Sequence, residues 1–186
     1  MAGVVIGSLI TKYSEFSPEP KALAVTVNNS CNLKCPHCYL QYNGVSNFIS
    51  VQLQEKISNE PCEHVAIVGM EPLRDRDTIE NTFRFVSKLK ASGKTVSIIT
   101  NGMNLHLCEK HDLEKLDFVD VSLDGGERSF KQARGVSFSK LVRNLKTLEQ
   151  WGIPYNILNT VYSENAPYLH DMVKASDFIN PNAMHF

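Results

Sequence analysis

Residues 31–39 read Cys31-Asn32-Leu33-Lys34-Cys35-Pro36-His37-Cys38-Tyr39, so three thiols crowd into eight positions, separated by three residues and then by two. The remaining cysteines, Cys62 and Cys108, stand alone and make the total five. A secreted disulfide scaffold calls for an even, dispersed set in a shorter chain, so the cluster points to a metal in a reducing compartment. Three thiolates at this spacing can close around one face of a cubic iron–sulfur cluster. Because a [4Fe–4S] cluster ordinarily takes four cysteines, three leave one iron open to an outside molecule. The competing reading is zinc, with His37 or His64 as the fourth ligand. His37 lies between two of the cysteines, where a good tetrahedral angle is awkward, and the spacing favours the cluster.

Outward from this stretch, apolar β-branched runs occur at 22–27, 64–68, 95–100, 118–123, 155–161 and 183–186. Segments of helical period lie between them. Ile79, Phe83, Val86 and Leu89 form one face of a helix over about 77–91. Phe138, Leu141, Val142, Leu145, Leu148 and Trp151 form another beginning near Ser137. Gly93 and Gly152 stand where left-handed C-terminal caps belong, with Pro154 just beyond the second. Ser50 can cap a short helix carrying Leu53 and Ile57, and Pro167 suits the first turn of one carrying Leu169, Met172 and Val173. Residues 104–114 read as a short helix or a loop. Alternation of this kind requires crossover connections and a parallel sheet.

A closed eight-fold barrel takes about 250 residues. Here 186 residues supply five strand–helix units and a sixth strand. The expected fold class is therefore α/β, a partial (β/α)6-type parallel barrel lacking the last helix. Residues 21–186 would form this core domain, incomplete at its C-terminus, behind an extension or hairpin over 1–20 in which 4–10 adds an antiparallel strand.

Ligands of parallel α/β folds bind at the carboxyl ends of the strands. That rim receives the cysteine loop, Gly69-Met70-Glu71-Pro72, Thr100-Asn101-Gly102, Ser122-Leu123-Asp124-Gly125-Gly126 and Asn159-Thr160 in turn. Each has a plainer reading. Asp124 can be a turn residue before two glycines, Asn101-Gly102 is a common turn pair, and Arg134 alone can be a solvated cation. Cys62, Cys108 and Trp151 read as packing residues.

Composition narrows the partners. Lys plus Arg number 19 and Asp plus Glu 20, for a net charge of −1. No basic excess advertises nucleic acid, and no apolar run approaches the ~20 residues of a membrane span. The first 13 residues lack a signal-peptide pattern, so a cytoplasmic protein is expected.

The cysteine stretch, with VGMEP, TNGM and SLDGG in that order, resembles the radical S-adenosylmethionine (radical SAM) superfamily, and in particular the core of its peptide- and protein-modifying, SPASM-type members. The likeness extends over most of the chain. It implies that Cys31, Cys35 and Cys38 hold a [4Fe–4S] cluster whose open iron takes the amino and carboxylate groups of SAM. It further implies that the backbone of His37 reads the adenine edge, with Tyr39 close by. By the same likeness, Gly69, Met70 and Glu71 meet the methionine amino group, mostly through backbone carbonyls, Ser122 and Asp124 reach the ribose or carboxylate, Arg134 grips the carboxylate, and Asn159 donates to ribose or adenine. A flavodoxin- or ferredoxin-like electron donor and a peptide or protein substrate follow from the same resemblance, as does a partner or further domain covering the open barrel edge.

Two features depart from the family pattern. His37 stands where an aromatic residue is usual. Met70 replaces the second glycine of the loop, where its side chain must turn away from SAM or narrow the pocket. Three readings stay open on sequence: a radical SAM enzyme acting on a peptide or protein side chain, one acting on a nucleotide or cofactor precursor, and a non-catalytic zinc- or SAM-binding module.

Overall fold

Side chains alternate across a strand, so each apolar run acquires one face for a core and one for something else. The computed structural model, which describes residues 4–5, 21–40 and 47–186, arranges these runs in one sheet in sequence order. The strands are β1 (Val4–Val5), β2 (Ala22–Thr26), β3 (His64–Val68), β4 (Thr95–Thr100), β5 (Phe118–Ser122), β6 (Tyr155–Leu158) and β7 (Ala183–His185). From β2 to β7 all pairings are parallel, while β1 runs antiparallel to β2. This is the expected partial, open α/β barrel. Of the anticipated N-terminal strand, only Val4–Val5 falls among the described residues; 6–10 lie outside them.

Among the described residues six helices join the strands: α1 (Val51–Asn59), α2 (Arg76–Ala91), α3 (Lys110–Leu113), α4 (Phe130–Arg134), α5 (Phe138–Trp151) and α6 (Leu169–Val173). Their ends follow local chemistry. Ser50 Oγ accepts from Leu53 N–H and starts α1. Asp75 Oδ1 accepts from Thr78 N–H at 2.9 Å and starts α2. Gly152 closes α5 with a left-handed φ of 71°. The uncertain stretch near 104–114 contains a 3₁₀ turn, Leu105–Leu107, and α3. Pro167 lies within a second such turn, Ala166–Tyr168, just before α6. Helix α4 has no sequence periodicity to announce it, since five residues bury only Phe130 and Ala133.

The two faces of the sheet differ. Val25, Val65, Ile67, Val96, Ile98, Val119, Val121 and Ile157 are buried with the apolar faces of α2 and α5. Each such side chain contributes about 1.5–3 kcal/mol. The inner face carries Thr26, Val68, Ile99, Asp120, Ser122, Asn156 and Leu158, all half-buried. Among the described residues no helix is long and apolar enough to cross a membrane.

At the carboxyl end of β3 the chain turns on Gly69, whose φ of +113° suits glycine, and an added Cβ there would lie 2.6 Å from Thr26 Cγ2. Gly69→Ala is expected to lose about 1–3 kcal/mol in urea unfolding. An unchanged midpoint would mean that β2 and β3 do not approach this closely.

Candidate functional site

The cysteine loop leaves the carboxyl end of β2 with few regular backbone bonds of its own. One tight turn organises it: Cys38 N–H donates to Cys35 C=O at 3.1 Å, with Pro36 at the position where its fixed φ favours such a turn. Cys31 and Cys35 are half-buried and Cys38 is exposed, and all three are free thiols. Leu33 N–H points at Cys31 Sγ (3.3 Å), as does Asn101 Nδ2 at 3.8 Å. Arg134 Nη1 points at Cys35 Sγ at 3.9 Å. Burial pushes the Cys31 and Cys35 thiols above their ordinary range; Glu71 and the neighbouring thiols add to this at Cys31, while Arg134 opposes it at Cys35. These sulfurs therefore hold protons until a metal displaces them.

Glu71 ties the loop to the sheet. Its N–H donates to Ser30 C=O at 3.1 Å, and its C=O accepts from Asn28 Nδ2 at 2.8 Å. Its carboxylate accepts from Leu73 N–H (2.9 Å), the Thr100 hydroxyl (2.6 Å) and Asn101 N–H (2.7 Å). The side chain is 1% exposed, and burial raises its carboxyl above the usual range despite these donors. The Glu71 side chain thus faces inward, joining the ends of β3 and β4 to the base of the cysteine loop. Met70 beside it is half-buried. No described non-glycine residue has positive φ, so the backbone here does not require the glycine of the family pattern.

A second knot forms on the opposite side of the loop. Asp124, fully buried, accepts from Thr160 N–H through Oδ1 at 2.7 Å. Its Oδ2 lies 2.9 Å from His37 Nε2 and 2.5 Å from Arg134 Nη2. These contacts have ion-pair distance but not the alignment of a hydrogen bond, and Asp124 Oδ2, His37 Nδ1 and Arg134 Nε are buried without a hydrogen-bond partner. His37 stacks on Tyr162 with ring centroids 4.7 Å apart. Burial lowers the His37 pKa, with Asp124 opposing and Arg134 reinforcing the shift. The two glycines after Asp124 are packing requirements as well as turn residues: a Cβ on Gly126 would strike the Asp171 backbone oxygen at 2.1 Å.

The structure gathers His37, Asp124 and Arg134 with Cys35, and Glu71 and Asn101 with Cys31. Gly69 and Met70 sit at the end of β3, and Ser122 is half-buried at the end of β5. Tyr39 stands apart at 89% exposure. Asn159 donates twice to His185 C=O, from its backbone and from Nδ2, and its buried Oδ1 has no partner. Sequence reasoning missed Asn28 and Tyr162, whose only signal was their position beyond the end of a strand, and placed Thr100 on the rim without its bond to Glu71. It undervalued Asn101, which does more than turn the chain.

His64 is a correction. It begins β3, four residues and ~13 Å of strand from the rim, and its ring nitrogens meet Thr95 Oγ1 at 2.8 Å and Ser97 Oγ at 3.0 Å. It cannot be a fourth ligand to the cysteines. Among the described residues no three His, Cys, Asp or Glu side chains converge on a single-ion site. Three soft thiolates on one loop are the donor type that an iron–sulfur cluster takes at such a position, and the N–H groups turned toward Cys31 and Cys35 can stabilise ligated sulfur. The unpartnered nitrogens of Arg134 and His37 sit beside that position as unspent polar groups.

A family profile described as the radical SAM superfamily matches residues 25–175. Fe-coproporphyrin III synthase of Methanosarcina barkeri is 26% identical over 174 residues, covering 86% of this chain and 43% of that protein. The antilisterial bacteriocin subtilosin biosynthesis protein AlbA of Bacillus subtilis is 25% identical over 178 residues, covering 90% and 39%. The chain thus spans about two-fifths of the length of these relatives. Among solved structures, Streptococcus suis SuiB bound to S-adenosylmethionine superposes with a TM-score of 0.65 at 20% identity, covering 90% of this chain and 41% of that one. SuiB has also been crystallised with its precursor peptide SuiA.

Two measurements check the site. In the metal-free, reduced chain at pH 8, iodoacetamide should modify exposed Cys38 first and spare Cys108, whose thiol burial pushes up to about 12; equal rates by mass spectrometry would contradict this packing. Asp124→Asn should cost about 3 kcal/mol in denaturant unfolding, since it leaves a nearly buried Arg134 without its counter-charge.

Proposed function

Since the chain belongs to the radical SAM superfamily, we propose that it is the catalytic core of an enzyme that opens S-adenosylmethionine reductively and removes a hydrogen atom from a peptide or protein side chain. Members of the superfamily are enzymes that use a [4Fe–4S] cluster and SAM. The observation that carries the reading is the cysteine loop itself, placed on the rim with Leu33, Asn101 and Arg134 donors facing its sulfurs. Residues 21–186 form the core domain in this reading, and 1–20 an extension. The protein works in the cytoplasm, is reduced by a flavodoxin- or ferredoxin-like donor, and has its open barrel edge covered by a partner or further domain.

Cys31, Cys35 and Cys38 would hold the cluster. Bound there, the cluster would supply the electron for reductive opening of the sulfonium C5′–S bond of SAM. The chain's own residues bind and orient. Arg134 offers a guanidinium for the SAM carboxylate, and a planar fork suits that group. Asp124 aims Arg134 and is itself a poor contact for a carboxylate, since like charges repel. The backbone of Gly69, Met70 and Glu71 is left to meet the amino group, with the Glu71 side chain spent on the fold. His37, Tyr39, Ser122 and Asn159 are the remaining candidates for adenine and ribose. The half-buried inner face, shielded from bulk water by the rim, receives the substrate.

A peptide substrate is supported by the relative named for bacteriocin biosynthesis and by the fold shared with a protein crystallised with its precursor peptide. A small-molecule substrate is the second reading, favoured by the relative named for Fe-coproporphyrin III synthesis.

Anaerobically reconstituted protein should be brown, hold about four irons per chain, and release 5′-deoxyadenosine from SAM when given a strong reductant. Iron should be lost in Cys31→Ala, Cys35→Ala and Cys38→Ala and kept in Cys62→Ala and Cys108→Ala. Colourless protein holding one zinc, or loss of iron in Cys62→Ala, would overturn the assignment. Arg134→Ala should weaken SAM binding by about tenfold in calorimetry with iron content unchanged.

A further inference from the structure

The inner face of the barrel carries a polar pair that the proposed chemistry leaves without a task. Asp120 on β5 and Asn156 on β6 lie directly opposite in register, and Asn156 Nδ2 donates to Asp120 Oδ1 at 2.9 Å. Both are half-buried. Ile99 stands opposite Asp120 on its other side. Ser122 lies two residues further along the same face, ~7 Å nearer the rim.

Among the described residues this is the one side-chain hydrogen bond that either residue makes, and no Lys, Arg or His stands within ion-pair distance of Asp120. Two other half-buried acids on the sheet's flanks do meet a cation: Asp117 meets Lys90 at 2.7 Å and Glu149 meets Lys146 at 2.7 Å. A carboxylate withdrawn from water beside an isoleucine loses hydration, and a cation restores that loss. The free valences are also one-sided. With Asn156 Nδ2 turned to Asp120 Oδ1, the remaining oxygens, Asp120 Oδ2 and Asn156 Oδ1, are both acceptors.

We propose that Asp120 and Asn156 form a recognition subsite for a cationic nitrogen group of the substrate, an ammonium or guanidinium. Asp120 supplies the counter-charge, and the two remaining oxygens accept its N–H groups. This rests on the reading above, which brings substrate to the inner face below the cysteine rim. It adds a substrate class: a molecule, peptide or small, that carries a positive charge within reach of the reacting position.

The test uses the full chain reconstituted with iron, titrated with N-acetyl-arginine N-methylamide, N-acetyl-lysine N-methylamide and the neutral N-acetyl-citrulline N-methylamide. The Asn156 side-chain amide is followed by NMR. At least one cation should bind about fivefold tighter than citrulline and shift that amide. In Asp120→Asn the preference should fall to less than twofold, and Asp120→Glu should recover part of it; circular dichroism establishes that both variants are folded. Equal affinities in the native chain, no shift of the Asn156 amide by either cation, or an undiminished preference in Asp120→Asn overturns the subsite. Iron content and SAM cleavage in the native samples separate the two ideas. A chain that holds no cluster overturns the proposed function, whereas a competent chain without charge preference overturns only the subsite.

Discussion

A loop that must present three sulfurs cannot also be held by a regular ladder, because its backbone is committed to turning. The structure resolves this through Glu71. Its amide and carbonyl engage Ser30 and Asn28 below the cysteines, while its carboxylate gathers Leu73, Thr100 and Asn101. A buried carboxylate is tolerable only when donors surround it, and here the donors belong to the two neighbouring strand ends. Burial still raises its carboxyl, so any disturbance that removes a donor makes protonation, and loosening of the rim, easier.

The other side of the loop is held by charge. Asp124 sits between His37 and Arg134 with no exposed surface, and Arg134 also reaches Cys35. One carboxylate thereby couples the cysteine turn, the end of β5 and the far end of α4. Such a cluster is costly to assemble out of water and costly to break once formed, which suits a site whose parts must keep their relative positions. The departure at His37 becomes intelligible here: an imidazole can stack on Tyr162 and meet Asp124 together, whereas a purely aromatic ring could only stack.

Along the strands the sheet separates two tasks. Its outer face is apolar and packed under α2 and α5, which leaves the polar and glycine-rich residues to gather at the rim. Its inner face is half-buried and mixed in polarity, with one carboxylate among the described residues there left uncompensated. Rigid walls and a polar interior are what a core needs if it is to orient a substrate while keeping water at a distance.

Much of this was legible in the residues. The alternation of β-branched runs with helical periods required a parallel sheet, because crossover connections permit little else, and the three-then-two cysteine spacing selected a cluster over a lone ion. Helix limits followed from caps at Ser50 and Gly152, which act over a few residues. What the chain order could not disclose is where side chains meet across strands. The Glu71 side chain gathers donors from two strand ends, which no motif announced; His64 was a candidate ligand and lies at the far end of its strand; Asp120 was one residue of an apolar run and becomes an unmatched charge opposite Asn156. Local patterns encode periodicity and turns, whereas the partners of a buried charge are set by strand register, and that exists only once the sheet has closed around it.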